Sequence, residues 1–448
     1  DDEQRGRFRL DFPAWLNGPA GVDMVYTSER TEEGRRQTIQ ADIDVTPSTL
    51  RIDLLKWRKE PGKPGQGRVT VRFKDGKPIL IPAFVVTTQE LTAVGSMQLR
   101  EADYGLSHLL LDQFKLGDSD ARIDIRDTDG KGGLAIDVRG ASFDVRPLRG
   151  KERGPDGKVL PPDPIADAAP KTPLSISFDL GRAIMGDDGR EIRQAKGRME
   201  RDTDIWYRTD LDAEVGEKGF LKVRYAPDPA DARILTLVAE TDDAGATLRG
   251  LDVISQIRGG KLTLSGRSQP GDPGQSLVGK ADLTDYRVQD APVLARLLSA
   301  TSPRGFANFM SGQPIAFSRL SGDWLWHKDG ITLRDMRTSG SQVGLTLEGN
   351  IDLKRDDVAL QGTIVPFTTV NRLLGIIPLL GDLLVGGEGQ GLFAATYRVK
   401  GPTDNLDVGV NPLAVLAPGF LRNLFFLPQP AGEDMPKEVK PGRATGGP

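Results

Sequence analysis

Residues 364–427 decide the fold, and they read IVPFTTVNRLLGIIPLLGDLLVGGEGQGLFAATYRVKGPTDNLDVGVNPLAVLAPGFLRNLFFL. This stretch begins as a strand, passes through an apolar segment and turns at four glycines. It continues as a strand over 392–399 and ends in a second apolar segment. No pattern in it indicates catalysis, and it predicts β structure interrupted by apolar helices.

The first apolar segment predicts one wide apolar face, on a helix or on a pair of short turns broken around Pro378, because its large side chains recur at spacings of three and four. It is shorter than the run of about 20 apolar residues that spans a membrane. We expect both apolar segments to contact a membrane surface or a partner protein. The contact residues are Leu373, Leu374, Ile376, Ile377, Leu380, Leu383, Leu384, Leu416, Leu421, Leu424, Phe425 and Phe426.

The same stretch resembles the C-terminal signature of the AsmA-like envelope proteins, the superfamily of the TamB and YhdP types. The matching strings are IPLLG, GGEGQGLFAATYRVKGP and VNPLAVLAPGFLRNLF, and the likeness covers 285–426. The resemblance implies a long β-sheet groove with an apolar inner face. It also implies a periplasmic location, an anchor in the inner membrane and transport of phospholipid between the inner and outer membranes.

The start of the chain, DDEQRGRFRL, contains neither an initiator Met nor a signal sequence. We therefore expect the chain to be the C-terminal part of a longer, anchored protein.

Composition limits the classes of function. The 448 residues are 38% hydrophobic and 27% charged, with a formal net charge of -4, so a basic surface for nucleic acid is not expected. Cysteine is absent, and the two histidines, His108 and His327, lie far apart in the sequence. Without a thiolate or a Ser-His-Asp arrangement, we expect no enzymatic activity, no metal and no cofactor.

Alternation of apolar and polar residues predicts strands along most of the chain. The alternating runs are 39–45, 69–73, 122–126, 134–138, 175–180, 205–215, 220–225, 233–239, 261–266, 317–326 and 343–353. Asp-Gly pairs at 75–76 and 129–130 predict hairpin turns between such runs. Helical spacing at 106–114, at 248–257 and over Val293, Leu294, Leu297 and Leu298 predicts three short helices.

Prolines crowd residues 149–173, which predicts a linker or a long loop. We expect the N-terminal part of the groove over 1–148 and the AsmA-like part over 174–427. The remaining 428–448 are rich in Pro, Gly and charge, which predicts a disordered tail.

The predicted fold is mainly β: an elongated, twisted antiparallel sheet curled into an open apolar groove, with a few short amphipathic helices. The alternative is that the helices cap a closed sandwich or barrel. A register slip of one residue would exchange the two faces. The predicted lining of the groove is Val343, Leu345, Leu347, Ile351, Leu353, Leu360, Ile364, Phe393, Ala395, Tyr397 and Val399.

Two functions follow as expectations. The first is transfer of phospholipid whose acyl chains lie in the groove. The alternative is a periplasmic assembly or scaffold factor for outer-membrane components, which would pair a free sheet edge with a strand of an envelope protein partner.

Two further motifs predict ordinary structure. The glycines of 386–391 lie between a helix and a strand, whereas phosphate-binding loops lead into a helix N-terminus. Acidic residues at Asp118, Asp120, Asp124, Asp127 and Asp129 lack the spacing of a calcium-binding loop.

Overall fold

The computed structural model describes residues 16–31, 34–74, 77–149, 172–203, 205–269, 276–301, 314–327, 329–340, 343–366, 394–403 and 405–413. In this part of the chain the strands are β1 Leu16–Asn17, β2 Gly21–Thr31, β3 Gly34–Asp44, β4 Thr49–Ile52, β5 Trp57–Lys59, β6 Gly65–Lys74, β7 Lys77–Thr88, β8 Leu91–Leu99, β9 Leu106–Leu116, β10 Ser119–Asp127, β11 Leu134–Asp144 and β12 Leu174–Ile184. They continue as β13 Glu191–Arg201, β14 Trp206–Val215, β15 Gly219–Pro227, β16 Leu235–Thr241, β17 Ile257–Ser268, β18 Leu277–Val288, β19 Ile315–His327, β20 Gly330–Gly340, β21 Val343–Asp352, β22 Asp357–Pro366, β23 Ala394–Pro402 and β24 Asp407–Leu413. The helices are α1 Arg146–Arg149, α2 Ala244–Gly250 and α3 Pro292–Thr301, and a 3-10 turn covers Asp53–Leu55.

The main sheet has 21 strands. It begins with β2 and β3, continues with β6, and then runs in chain order to β24, each strand hydrogen-bonded to the next. Among the described residues β2 pairs only with β3 and β24 only with β23, so the sheet is open at both edges. The prediction of a mainly β, antiparallel and open fold is confirmed, and the alternative of a closed sandwich or barrel is wrong.

A single neighbouring pair, β11 and β12, runs parallel among the strands of this sheet. The chain must therefore travel from one end of the strands to the other between them, because parallel neighbours need a crossover connection. The proline-rich stretch 149–173 lies in this connection. The sheet continues without a break from β11 to β12, so the predicted domain boundary falls between two hydrogen-bonded strands.

Because nearly all neighbouring strands run antiparallel, each of their connections lies at one of the two ends of the strands. The long insertions 45–64, 242–256 and 289–314 all lie at one end, which we call the insertion end. The opposite end, the turn end, carries 100–105, 128–133 and 228–234. Elements that can cover one face of the sheet therefore come from a single end.

A small second sheet lies at the insertion end. It has the order β1, β4, β5 and is built largely from the insertion between β3 and β6. Ile52, Leu55 and Trp57 of this insertion pack against a hydrophobic cluster of the main sheet that includes Leu91 and Phe114.

The helices α2 and α3 pack on the same apolar face. Asp243 begins α2, and its side chain accepts a hydrogen bond from the Ala246 N–H at 2.9 Å. Helix α2 approaches β17 closely, since a Cβ on Gly245 would lie 2.7 Å from Arg258 Cα. Helix α3 inserts Leu294, Leu297 and Leu298 into a cluster with residues of β18–β24.

Two predicted helices were wrong. Residues 106–114 belong to β9, which pairs with β8 and β10. Both pairings shift register between Leu111 and Phe114, and the extra residue turns an alternating pattern into a helix-like spacing. The helix predicted at 248–257 instead covers Ala244–Gly250, and Ile257 already begins β17. The helix at 293–298 is confirmed as part of α3.

Candidate functional site

The inner face of the sheet is apolar from one free edge to the other. One residue from every strand joins its neighbours in an almost unbroken line of cross-strand pairs, which we call the apolar row. The line is interrupted by register shifts between β6 and β8. From β2 to β24 the row consists of Tyr26, Ile39, Val71, Ile81, Met97, Leu109, Ile125, Ile136, Ile176, Met199, Thr209, Tyr225, Leu237, Gly266, Gly279, Trp324, Leu333, Gly349, Leu360, Val399 and Val408. At a strand spacing of about 4.8 Å it is about 95 Å long measured along the sheet.

The row is open to solvent over much of its length. Ile39, Met97, Ile125, Ile136 and Ile176 are all partly exposed. Over β17 and β18 the Trp324 ring lies over two glycines of the row, Gly266 and Gly279, and a Cβ on Gly266 would lie 2.6 Å from that ring. The glycines therefore make room for the indole against the sheet.

The insertions cover the part of the inner face nearest the insertion end. Beneath α3 the predicted lining residues are deeply buried: Val343 and Ile364 are 0% exposed and Ala395 is 1% exposed. Eight predicted residues share this cluster with α3, namely Val343, Leu345, Leu347, Leu360, Ile364, Ala395, Tyr397 and Val399. These residues lie on one face of the sheet, as the alternation predicts. They were predicted to line an open groove, whereas in the structure they pack against helix α3.

The other predicted site residues lie elsewhere. Ile351 is on the same face near the turn end and is partly exposed, while Leu353 follows β21 and is 45% exposed. Phe393 lies outside the described residues, as do the predicted contact residues of 373–384 and 416–426.

Charged side chains border the apolar row at the turn end. Asp127 accepts a hydrogen bond from Arg100 Nη1, and Arg100 also donates to Asp103 at 2.9 Å. Burial alone would raise the pKa of Asp127, but hydrogen bonds from the Gly130 and Asp129 N–H groups and from Arg100 lower it. The carboxylate is thus held charged beside an apolar surface.

Arg201 supplies a second charge at this border. It pairs with Leu174 of β12, and its guanidinium lies 5.5 Å from the centre of the Trp206 ring. Its Nη2 donates to the Thr172 carbonyl oxygen at 3.2 Å, and its Nε is buried without a partner within the described ranges.

The remaining polar residues form surface pairs. Asp118 binds Arg146, Asp120 binds Lys115, and Asp124 accepts hydrogen bonds from Arg126 and contacts His108 at 3.0 Å. His327 ends β19, and its Nδ1 accepts from the Asp329 N–H at 3.4 Å. No cluster of three metal-ligating side chains occurs in the part of the chain that the structure describes.

Sequence reasoning placed part of the groove over 1–148 but named no lining residue in the open part of the face, which lies mostly upstream of residue 285. The signal was present, since the alternating runs at 39–45, 69–73 and 134–138 supply Ile39, Val71 and Ile136. What the runs did not show is that their apolar faces join into one row, because strand order and register come only from the pairing.

Comparisons with protein-family models, with curated proteins and with solved structures found no significant match. Among the described helices, none has the length and apolar character needed to cross a membrane.

Proposed function

We propose that the chain carries phospholipid between the inner and outer membranes, as a periplasmic protein that shields acyl chains on the inner face of its sheet. The observation that carries this proposal is the apolar row, which runs through all 21 strands of the main sheet and is open to solvent over much of its length. The resemblance of residues 285–426 to the AsmA-like proteins supports the same function.

The energetics of the row suit acyl chains. Each CH2 group moved from water to an apolar surface gains about 0.8 kcal/mol. Hydrocarbon offers no hydrogen bonds, so a row of Ile, Leu, Val and Met side chains holds a chain without fixing its position. The row therefore permits movement along the sheet and accepts chains of different length.

The charged border suits a lipid head group. Arg201 lies at the turn end, beside the apolar row. Arg100 also lies at this end, but its guanidinium is paired with Asp103 and Asp127. A lipid with its chains on the row would place its phosphate near Arg201 and in contact with water. Arginine is well matched to phosphate because its planar guanidinium donates two parallel hydrogen bonds.

The test is native mass spectrometry of the purified chain with extraction of bound lipid. The informative variant combines Ile136→Asn with Ile176→Asn, two partly exposed residues that are directly opposite each other in the row. We expect phospholipid to co-purify with the unmodified chain and to be lost from this variant, because two adjacent amides break the apolar surface.

The matched control combines Val238→Asn with Val278→Asn. These valines are 42% and 44% exposed and lie on the outer face of the sheet, so the same substitution should leave bound lipid unchanged. Circular dichroism and thermal unfolding establish that both variants fold. A lipid-free unmodified chain, or equal lipid loss in both variants, would overturn the proposal.

A second candidate is the scaffold function, and the free edge β2 favours it. Every residue from Gly21 to Arg30 is exposed, and Met24 and Val25 are 63% and 62% exposed. A long, apolar edge strand is a template for pairing with a strand of another protein. Val25→Lys would block such pairing while leaving the apolar row intact. Loss of a partner with retained lipid would assign the edge to assembly, and an unchanged set of partners would exclude it.

A further inference from the structure

The outer face of β20–β24 forms a polar depression that the lipid proposal does not use. Its volume is about 820 Å³. Its lining comprises Asp335, Met336, Arg337, Thr346, Leu347, Glu348, Gln361, Gly362, Thr363, Thr396, Tyr397, Arg398, Gly409, Val410 and Asn411. Because side chains alternate along a strand, the polar members point away from the hydrophobic cluster beneath α3.

Two parallel rows of residues make the walls of this depression, which we call the outer trough. One row is Arg337, Thr346, Thr363, Thr396 and Asn411, and the other is Asp335, Glu348, Gln361, Arg398 and Gly409. Between them lies the row of inward-pointing residues, which contributes the floor. Five strands give a trough about 19 Å long, and rows two residues apart give a width of about 7 Å.

The charges in the trough are arranged unequally. Asp335 lies 3.8 Å from Arg337, and Glu348 accepts a hydrogen bond from Gln361 at 2.8 Å. Arg398 lies between Gln361 and Gly409 in its row, and within the described chain it has neither an ion-pair nor a hydrogen-bond partner. Arg398 is therefore the cation that is available to an anionic ligand.

The remaining wall groups are hydroxyls and amides. The Thr346 hydroxyl oxygen accepts from the Thr363 N–H at 3.0 Å, while Thr396 and Asn411 have no side-chain partner among the described residues. Such groups both donate and accept, which matches the hydroxyls of a sugar. A nucleic acid fits poorly, because two arginines are balanced by two carboxylates and phosphate contacts need excess positive charge.

We propose that the outer trough binds a linear acidic oligosaccharide, with a sugar carboxylate on Arg398 and the sugar hydroxyls along the threonine row. The size of the trough supports a chain of several sugars, since it falls within the range of about 300–1,000 Å³ that is usual for ligand pockets. The site lies on the opposite face from the apolar row, so oligosaccharide binding there does not depend on lipid binding to the row.

The test is isothermal titration of the full chain with trigalacturonate, with maltotriose as the neutral probe and inorganic phosphate as the simple anion. Arg398→Gln should weaken trigalacturonate binding at least about 10-fold, because a charge-assisted contact is lost. Thr396→Val, which keeps the side-chain shape, should weaken it a few-fold. The control Arg122→Gln removes an exposed arginine of β10, outside the trough, and should change nothing.

Maltotriose should bind more weakly than trigalacturonate, and inorganic phosphate should not compete at equal concentration. The proposal is overturned if trigalacturonate does not bind at about 1 mM, a weak affinity for a sugar site. It is also overturned if Arg398→Gln and Arg122→Gln behave alike. Equal competition by phosphate would reduce Arg398 to a simple anion contact and would likewise exclude a glycan site.

Discussion

Single residues hold the insertion 45–64 in its conformation, and Lys59 is the clearest example. This insertion covers part of the inner face. The Lys59 side chain is 3% exposed, and its Nζ donates to the carbonyl oxygens of Val45 at 2.8 Å and Ser48 at 2.9 Å. Further bonds reach Thr46 and Glu60 at 3.2 Å. Burial lowers the pKa of Lys59, and nearby Asp44 partly offsets this effect. The ammonium thus ties the turn after β3 to the end of β5.

Replacing Lys59 by Met should lower the free energy of unfolding by about 2–3 kcal/mol, because buried carbonyl oxygens lose a charged donor. Urea denaturation measures this difference. Lys63→Met removes an exposed lysine from the same loop and should have little effect. Equal stability of the two variants would show that the Lys59 hydrogen bonds contribute nothing to stability.

At the scale of elements, helix α2 packs with its backbone close to that of β17, and this close contact requires a glycine at position 245. Gly245→Val would place side-chain atoms against the backbone of Arg258, which starts at 2.7 Å from the Cβ position. We expect Gly245→Val to lower the free energy of unfolding by about 1–3 kcal/mol or more, as at other overpacked sites. The control Arg249→Val puts the same side chain on the exposed side of the same helix. If thermal unfolding shows both variants equally stable, α2 does not need its close contact with β17.

Strands with a regular alternation of apolar and polar residues were predicted correctly, and a strand with an irregular pattern was not. The alternation in 343–353 correctly predicted the face of Val343 and Leu345, because β21 and β22 pair without a shift from Val343 to Asp352. The pattern at 106–114 failed because of a bulge between Leu111 and Phe114. A bulge adds one residue to a strand and leaves no clear mark in a single sequence.

Coverage of the face could not be predicted at all. Val343 and Ile136 belong to equally apolar strands, yet one is 0% exposed beneath α3 and the other is partly exposed. The difference arises from where a helix 40 or more residues away in the sequence packs. Only tertiary contacts such as those of α3 separate the closed part of the inner face from the open part.

For the whole molecule, the length of the apolar row makes a prediction that a single pocket does not. The hydrocarbon core of a bilayer, two acyl chains deep, is about 30 Å thick, so one chain extends about 15 Å. A row of about 95 Å therefore has room for several lipids at once. We expect native mass spectra to show more than one phospholipid per chain.

Site-specific photo-cross-linking tests whether these lipids occupy the full row. A benzoylphenylalanine probe at Ile39, Ile136 or Leu237 samples β3, β11 and β16, which are well separated along the sheet. All three probes should cross-link phospholipid, because all three positions belong to the apolar row. The same probe at Val85 or Val238 lies on the outer face and should give only background. Cross-linking at one inner position alone would mean that lipid occupies a local pocket, and the transport of chains along the sheet would then lack a path.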